Sequence, residues 1–185
     1  MAGTLYLIPV PLGPVAPYTC LPPETLAIAR RLDTFIVEHA KTARAHLKAI
    51  GHPRPLQELV ILELNEHTRT ERIPELLAPL KAGKDAGLMS EAGCPAVADP
   101  GAELVRAAHR EHIAVLPLVG PSSILLALMA SGLGGQRFCF HGYLPAKEPE
   151  RTKKILDLEK TARKEHVTQL FIETPYRSAA MLDAL

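Results

Sequence analysis

The stretch "AGLMSEAGCPAVADPGAELVRAAHREH", residues 86–112, decides the fold. It opens on four residues without a charge, continues through a loop rich in glycine, alanine and proline, and ends in an amphipathic run. The order is therefore strand, loop, helix. A plain connection needs only a few turn residues. The loop over 90–101 is longer, carries two carboxylates and two glycines, and lets main chain approach a ligand closely.

The same order recurs on both sides. Strands are expected over 4–10, 34–39, 59–64, 86–90 and 113–119, and helices over 23–32, 42–51, 70–83, 101–112 and 122–131. Pro23 suits a first helical turn, and Gly51 and Gly83 suit helix ends. Strands that are apolar throughout, alternating with helices, predict an α/β domain with a mostly parallel sheet and helices on both faces. In such sheets ligands gather at the carboxyl ends of the strands. Three loops of unusual composition emerge there, "PLGP", "SEAGCP" and "VGPSS".

After Gly132 the pattern changes. "FCFHGYLP" alternates as in a more antiparallel sheet, and a charged helix over 148–165, a strand over 167–173 and a final helix over 175–185 follow. Two α/β domains are expected, 1–132 and 133–185, the second with a mixed sheet and, at about 50 residues, small for a sheet domain standing alone.

Composition narrows the function classes. The chain has 185 residues, 47% hydrophobic and 22% charged, which is ordinary for a globular protein. Twenty-one basic against 20 acidic residues leave a net charge of +1, which argues against a strongly electrostatic nucleic-acid binder. Three separated cysteines without Cys-x-x-Cys make a disulfide framework or structural zinc improbable and fit a reducing cytoplasm. Cys20 and Cys139 are expected to be buried packing. Residues 113–136 carry no charge, but Pro117, Gly120 and Pro121 break the run, so a membrane span is not expected. His109 and His112 fall in a last helical turn with no carboxylate ligand pattern around them and read as surface; no metal site is expected.

The loops lack the dinucleotide and P-loop glycine patterns and contain no lysine, so phosphate is a poor ligand for them. Small residues, main-chain donors, two carboxylates and two serines suit a ligand with a zwitterionic or cationic part and a polar ring. Glu38 ends the second strand and points to the same cleft, where it is a candidate general base; pairing with Lys41 is the competing reading. Asn65 and Glu66 end the third strand in the same way. Asp99 is expected to cap the following helix, with Pro100 at its first position. Ser122 and Ser123 open the helix after the fifth strand, where hydroxyls cap and free N–H groups meet a ligand.

"TLYLIPVPLGP", "SEAGCPAVADPGAELVRAA", "LPLVGPSSILLALMASGL", "FCFHGYLPAK" and "FIETPYR" occur in one order and spacing. Together they resemble the tetrapyrrole-methylase superfamily of S-adenosylmethionine-dependent methyltransferases, and within it the branch that methylates a cytidine ribose 2′-hydroxyl in small-subunit ribosomal RNA. The resemblance implies two α/β domains, S-adenosyl-L-methionine as cofactor in a cleft, a homodimer in the cytoplasm, and ribosomal RNA or the small ribosomal subunit as partner. It assigns Ser90, Glu91, Gly93 and Cys94 to the cofactor's methionine part, and Pro11, Leu12 and Gly13 to the floor under the adenosine or acceptor. Ser122, Ser123 and Ile124 complete the cofactor-binding set.

The chain departs from that branch nearest the acceptor. Glu38-His39-Ala40-Lys41 stands where those relatives have Glu-Asp-Thr-Arg, and Val10-Pro11-Leu12-Gly13-Pro14 where they have Thr-Pro-Ile-Gly-Asn. Ser90-Glu91-Ala92-Gly93-Cys94-Pro95 replaces Ser-Asp-Ala-Gly-Thr-Pro. A tetrapyrrole or other small-molecule acceptor, and a cofactor-binding module without catalysis, are the alternatives. Relatives continue with further strands beyond Leu185, so the second domain is expected to be incomplete. The run 147–164 holds seven basic and four acidic residues, placed either for phosphate contacts or as a solvated helix face.

Overall fold

The computed structural model describes residues 1–185. It contains two compact units, Met1–Ser122 and Ser123–Leu185.

The first unit is a parallel five-stranded sheet. Its strands are β1 (Thr4–Leu7), β2 (Thr34–Val37), β3 (Val60–Glu63), β4 (Ala86–Met89) and β5 (Ala114–Pro117), in spatial order β3-β2-β4-β1-β5. The helices are α1 (Pro23–Arg31), α2 (Ala40–Ala49), α3 (Ile73–Lys81) and α4 (Ala102–Arg110). Strands β2 and β4 are buried at every position, as central strands with both faces covered must be.

Successive side chains along a strand divide between two cores. Tyr6, Phe35, Val37 and Met89 pack on one face with Leu26, Ala29 and Leu47 from α1 and α2. Leu5, Ile36 and Leu88 pack on the other with Leu76, Leu77, Leu80, Leu104 and Ala108 from α3 and α4. Gly87 in β4 makes room for the first core: a Cβ there would lie 2.5 Å from Ile8 Cδ1 and 3.1 Å from Phe35 Cδ1. Gly51 (φ 69°) and Gly83 (φ 83°) follow the ends of α2 and α3 as the sequence predicts. The expected helix over 70–83 is a 3-10 turn, Thr70–Arg72, followed by α3, which runs through Pro79.

The second unit contains α5 (Ser123–Ser131), β6 (Phe138–Tyr143), α6 (Glu150–Glu165), β7 (Thr168–Ile172) and α7 (Ser178–Ala184). The sequence reading places the change of style at Gly132, after α5, whereas α5 packs on β7 of this unit. A small core forms around Leu144, Leu158 and Met181, with Ile155 and Phe171 against it.

The alternation of "FCFHGYLP" does not signal antiparallel pairing: β6 and β7 run parallel, with an irregularity between Phe140 and Tyr143 where Gly142 adopts φ 63°. A parallel pair needs a long crossover, which α6 provides. The alternation reflects a sheet that is only partly covered, and says nothing about direction. Cys139, expected to be buried, is exposed in β6 for the same reason. No helix is long and apolar enough to cross a membrane; the uncharged run 113–136 divides into β5, a loop and α5.

Candidate functional site

At the carboxyl ends of β1, β4 and β5, three loops are tied together largely through main chain. Val10 N–H donates to Gly93 O at 2.9 Å, and Gly93 N–H donates back to Val10 O at 3.1 Å, joining the loops after β1 and β4. The Cys94 thiol donates to Pro121 O at 3.4 Å, joining the loop after β5. Thr25 Oγ1 of α1 donates to Val119 O at 2.8 Å and fixes that loop from beneath.

Two glycines make the approach possible. Gly93 holds φ 71°, a conformation that disfavours any Cβ, and an added Cβ would meet Leu12 Cδ2 at 3.0 Å. Gly120 lies flat on Pro9, whose Cβ would be 2.2 Å from an added Cβ. Pro11, Leu12, Gly13, Ser90, Glu91, Gly93, Cys94 and Ser122 therefore lie on three linked loops of one unit. Ser123 and Ile124 open α5 in the other unit.

Two carboxyl groups, Glu38 and Asp99, have shifted pKa values here, and Glu91 contributes to both. Glu38, just past the end of β2, has its pKa raised, first by burial and then by the negative charges of Asp99 and Glu91; the Glu91 main-chain N–H and His39 pull the other way. Asp99 is raised by burial and by Glu91, while the nearby Ser90 hydroxyl opposes the shift without reaching hydrogen-bond geometry. Burial, and then Asp99, push the Cys94 thiol up. Lys41 forms no ion pair with Glu38; His39 Nδ1 lies 3.6 Å from Glu91 Oε1 at the surface. Perturbed carboxylates in a loop cluster are characteristic of functional sites.

Asp99 is not the cap of α4. Gly101, at φ 130°, occupies the N-cap position and no side chain bonds there. A Cβ at Gly101 would lie 2.7 Å from Leu88 Cδ2 and 3.4 Å from Ala96 Cβ, so close packing claims the cap for glycine and leaves Asp99 to the carboxylate group. Asn65 accepts hydrogen bonds from His67 N (3.1 Å) and Thr68 Oγ1 (3.3 Å), which makes it a turn residue. With Glu66 it lines a separate cavity of about 240 Å³ that also reaches Asp99 and Glu103.

Beside the linked loops is a cavity of about 320 Å³. Pro11, Gly13, Pro14 and Val15 form one wall, Met89, Ser90 and Glu91 another, and Thr42, Ala45, His46 and Ala49 of α2 a third. The sequence reading missed His46. Its signal was the spacing i, i+3, i+4, i+7, which puts one imidazole among small residues on a single face of α2. Burial lowers its pKa and favours the neutral ring. Both His46 Nε2 and Ser90 Oγ are buried without a hydrogen-bond partner.

A cavity of about 710 Å³ lies in the second unit among mainly apolar side chains of α6, β7 and α7, and holds none of the residues singled out for chemistry. His109 and His112 are at the surface. The basic run lies on and just before α6, where Arg151 pairs with Glu148 at 2.7 Å and Arg163 with Glu159 at 2.6 Å, as on a solvated helix face.

No family model matches the chain. It is 33% identical over 183 residues to the ribosomal RNA small subunit methyltransferase I of Escherichia coli O157:H7, covering 99% of this chain and 59% of that protein. It is 37% identical over 183 residues to the protein of the same name from Xylella fastidiosa, covering 99% and 63%. The chain thus spans about three fifths of the length of these curated relatives. Among solved structures it is similar to the methyltransferase CobJ, with a TM-score of 0.63 at 17% identity over 99% of this chain and 74% of that one. A conserved hypothetical protein from Aeropyrum pernix K1 gives a TM-score of 0.58 at 23% identity over 78% and 48%. By fold the chain is similar to the methyltransferase CobJ, and by sequence it is similar to the proteins named ribosomal RNA small subunit methyltransferase I.

Proposed function

We propose that the protein is an S-adenosylmethionine-dependent methyltransferase whose acceptor is an RNA ribose 2′-hydroxyl. The observation that carries this reading is the convergence of the loops after β1, β4 and β5 around Gly93, next to carboxylates of raised pKa, in a chain similar to ribosomal RNA methyltransferases.

The residues present suit the cofactor. Glu91 offers an exposed carboxylate to its ammonium or sulfonium charge, and Gly93 admits close main-chain approach. Gly93, Cys94 and Ser122 would flank the methionine part. When bound, the cofactor supplies an electrophilic methyl group on sulfur. Glu38 accepts the proton that the acceptor hydroxyl loses as its oxygen takes the methyl group. A carboxylate raised toward the working pH is a better base than one at its ordinary value. Alignment of the reacting atoms supplies much of the remaining rate.

On this reading the protein acts in the cytoplasm as a homodimer on ribosomal RNA of the small subunit. Support for the second copy comes from the exposed Leu125, Leu126 and Met129 of α5. A small-metabolite acceptor is the second reading, favoured by the net charge of +1. A non-catalytic cofactor-binding module is the third, favoured by Glu38-His39-Ala40-Lys41.

Calorimetric titration with S-adenosylmethionine tests the proposal. Saturable binding, lost in Glu91→Ala, is expected, and no binding by the folded full-length protein overturns it. Glu38→Gln is expected to lower methyl transfer to small-subunit RNA by about 10²–10⁴-fold with cofactor affinity kept.

A further inference from the structure

We infer that the carboxyl edge of the β6–β7 pair is a contact surface for single-stranded RNA, on which the exposed rings of Tyr143 and Tyr176 stack with unpaired bases and Lys147 meets a backbone phosphate. The inference rests on the proposed methyl transfer to RNA and names residues that hold the substrate strand rather than the cofactor.

The segment "FIETPYR" carries part of the resemblance, yet no residue after Ile172, where β7 ends, has a part in the proposed chemistry. There Glu173 Oε1 accepts from Thr174 N–H at 2.7 Å and from Arg177 Nε at 2.8 Å, and Arg177 Nη2 lies 2.7 Å away. The Glu173 side chain is 8% exposed. Desolvation offsets much of such a pair's attraction, so its main effect is to fix the 3-10 turn Pro175–Arg177. Tyr176 stands on that turn, 82% exposed, with the Arg177 guanidinium carbon 5.7 Å from its ring centroid. A ring so exposed adds little to folding. Backed by a held cation on one face, it presents the other to a partner and has little freedom left to lose on stacking.

A second ring lies at the same edge. Tyr143 ends β6, 53% exposed, and pairs in register with Ile172 at the end of β7. The helix crossing between two parallel strands starts at the carboxyl end of the first, so residues 147–154, which lead into α6 and open it, belong to this edge too. Their charges favour an anion. Glu148 is taken by Arg151 at 2.7 Å and Glu173 by Arg177, whereas Lys147, Lys153 and Lys154 form no ion pair and are opposed only by Glu150. A net charge of +1 over the whole chain conceals this local excess. Aromatic rings beside unpaired lysines suit single-stranded nucleic acid, whose bases are free to stack and whose phosphates attract cations. A duplex hides its base faces.

The test follows, by fluorescence anisotropy, the full chain binding a labelled short single-stranded RNA of mixed sequence and the same RNA as a duplex, with S-adenosylmethionine titrated in parallel by calorimetry. The single strand is expected to bind more tightly than the duplex. Tyr176→Ala is expected to weaken single-strand binding about tenfold and Tyr176→Phe to keep it, with the melting temperature unchanged in both. Lys147→Ala is expected to lower the slope of log affinity against log salt by about 0.7, whereas Lys164→Ala, at the far end of α6, leaves it unchanged. Cofactor affinity is expected to be unchanged in every variant. No RNA binding, equal binding of single strand and duplex, equal RNA binding by Tyr176→Ala, or loss of cofactor binding in that variant overturns the inference. RNA binding that depends on Tyr176, in a protein that fails to bind S-adenosylmethionine, keeps the surface and removes the methyltransferase reading; cofactor binding with RNA binding indifferent to Tyr176 does the reverse.

Discussion

At the amino ends of the five parallel strands, polar groups are paired. Arg54 lies 2.7 Å from Asp33 and 3.3 Å from Glu58, Thr4 N–H donates to Asp85 Oδ1 at 2.8 Å, and His52 Nε2 meets Leu32 O at 2.9 Å. At the carboxyl ends of the same strands, burial raises the pKa of Glu38 and of Asp99, with Asp99 adding to the first shift and Glu91 to both, and Ser90 and His46 keep buried atoms without partners. Both ends are hollow, and the amino-end cavity is larger, at about 580 Å³. Volume therefore does not identify the site. The difference lies in satisfaction: one end pairs its polar groups, and the other leaves buried polar atoms and neighbouring carboxylates uncompensated.

Substitutions sharpen this contrast. The largest effect is expected from Gly120→Ala, because the added methyl overlaps the rigid ring of Pro9 and pushes the β5 loop off the β1 loop. Denaturant unfolding should show a loss of about 3 kcal/mol. Gly93→Ala is milder: Leu12 is exposed and can move, leaving mainly the cost of a positive φ, about 1 kcal/mol.

Asp99→Asn should work in the opposite direction. A carboxyl group whose pKa is raised by folding binds its proton more tightly in the folded than in the unfolded state. Its contribution is fully present below the ordinary carboxylate range and is lost as pH rises through the raised value. The amide removes that loss, so the variant should gain roughly a few tenths of a kcal/mol at neutral pH, small because water screens a half-exposed group. Its stability should also fall less between acid and neutral pH, as read from melting temperatures across that range. The smallest effect belongs to Asp33→Asn at the other end, where the Arg54 pair is exposed; its melting temperature should match the parent's closely, and a clear drop would break the contrast.

The alternation of apolar segments and amphipathic runs was enough to predict the parallel α/β unit, because buried strands and one-faced helices leave different periods in a chain. The three unusual loops were legible for a related reason, since glycine and proline act locally. Strand order was not. Nothing local tells β4 to insert between β1 and β2, yet that insertion brings Gly93 to Val10. Asp99 was misread because Asp-Pro-Gly is a sound cap by local rules, and only the proximity of Leu88 and Ala96 hands the cap to Gly101. His46 was missed because an imidazole on an amphipathic helix looks ordinary until the opposite wall is known. In the second unit, burial is too incomplete for alternation to reveal direction, and Cys139 stays exposed.

The reciprocal bonds between Val10 and Gly93 consist entirely of main-chain atoms. A frame built in this way does not depend on which side chains decorate it, provided that glycine stays where the backbone needs φ 71°. Residues 11–14 are then free to vary, whereas Cys94, whose thiol reaches Pro121 O, and Ala96 and Ala98, held at φ 65° and 62°, are tied to the frame. Side chains on such loops can change without the fold having to be rediscovered each time.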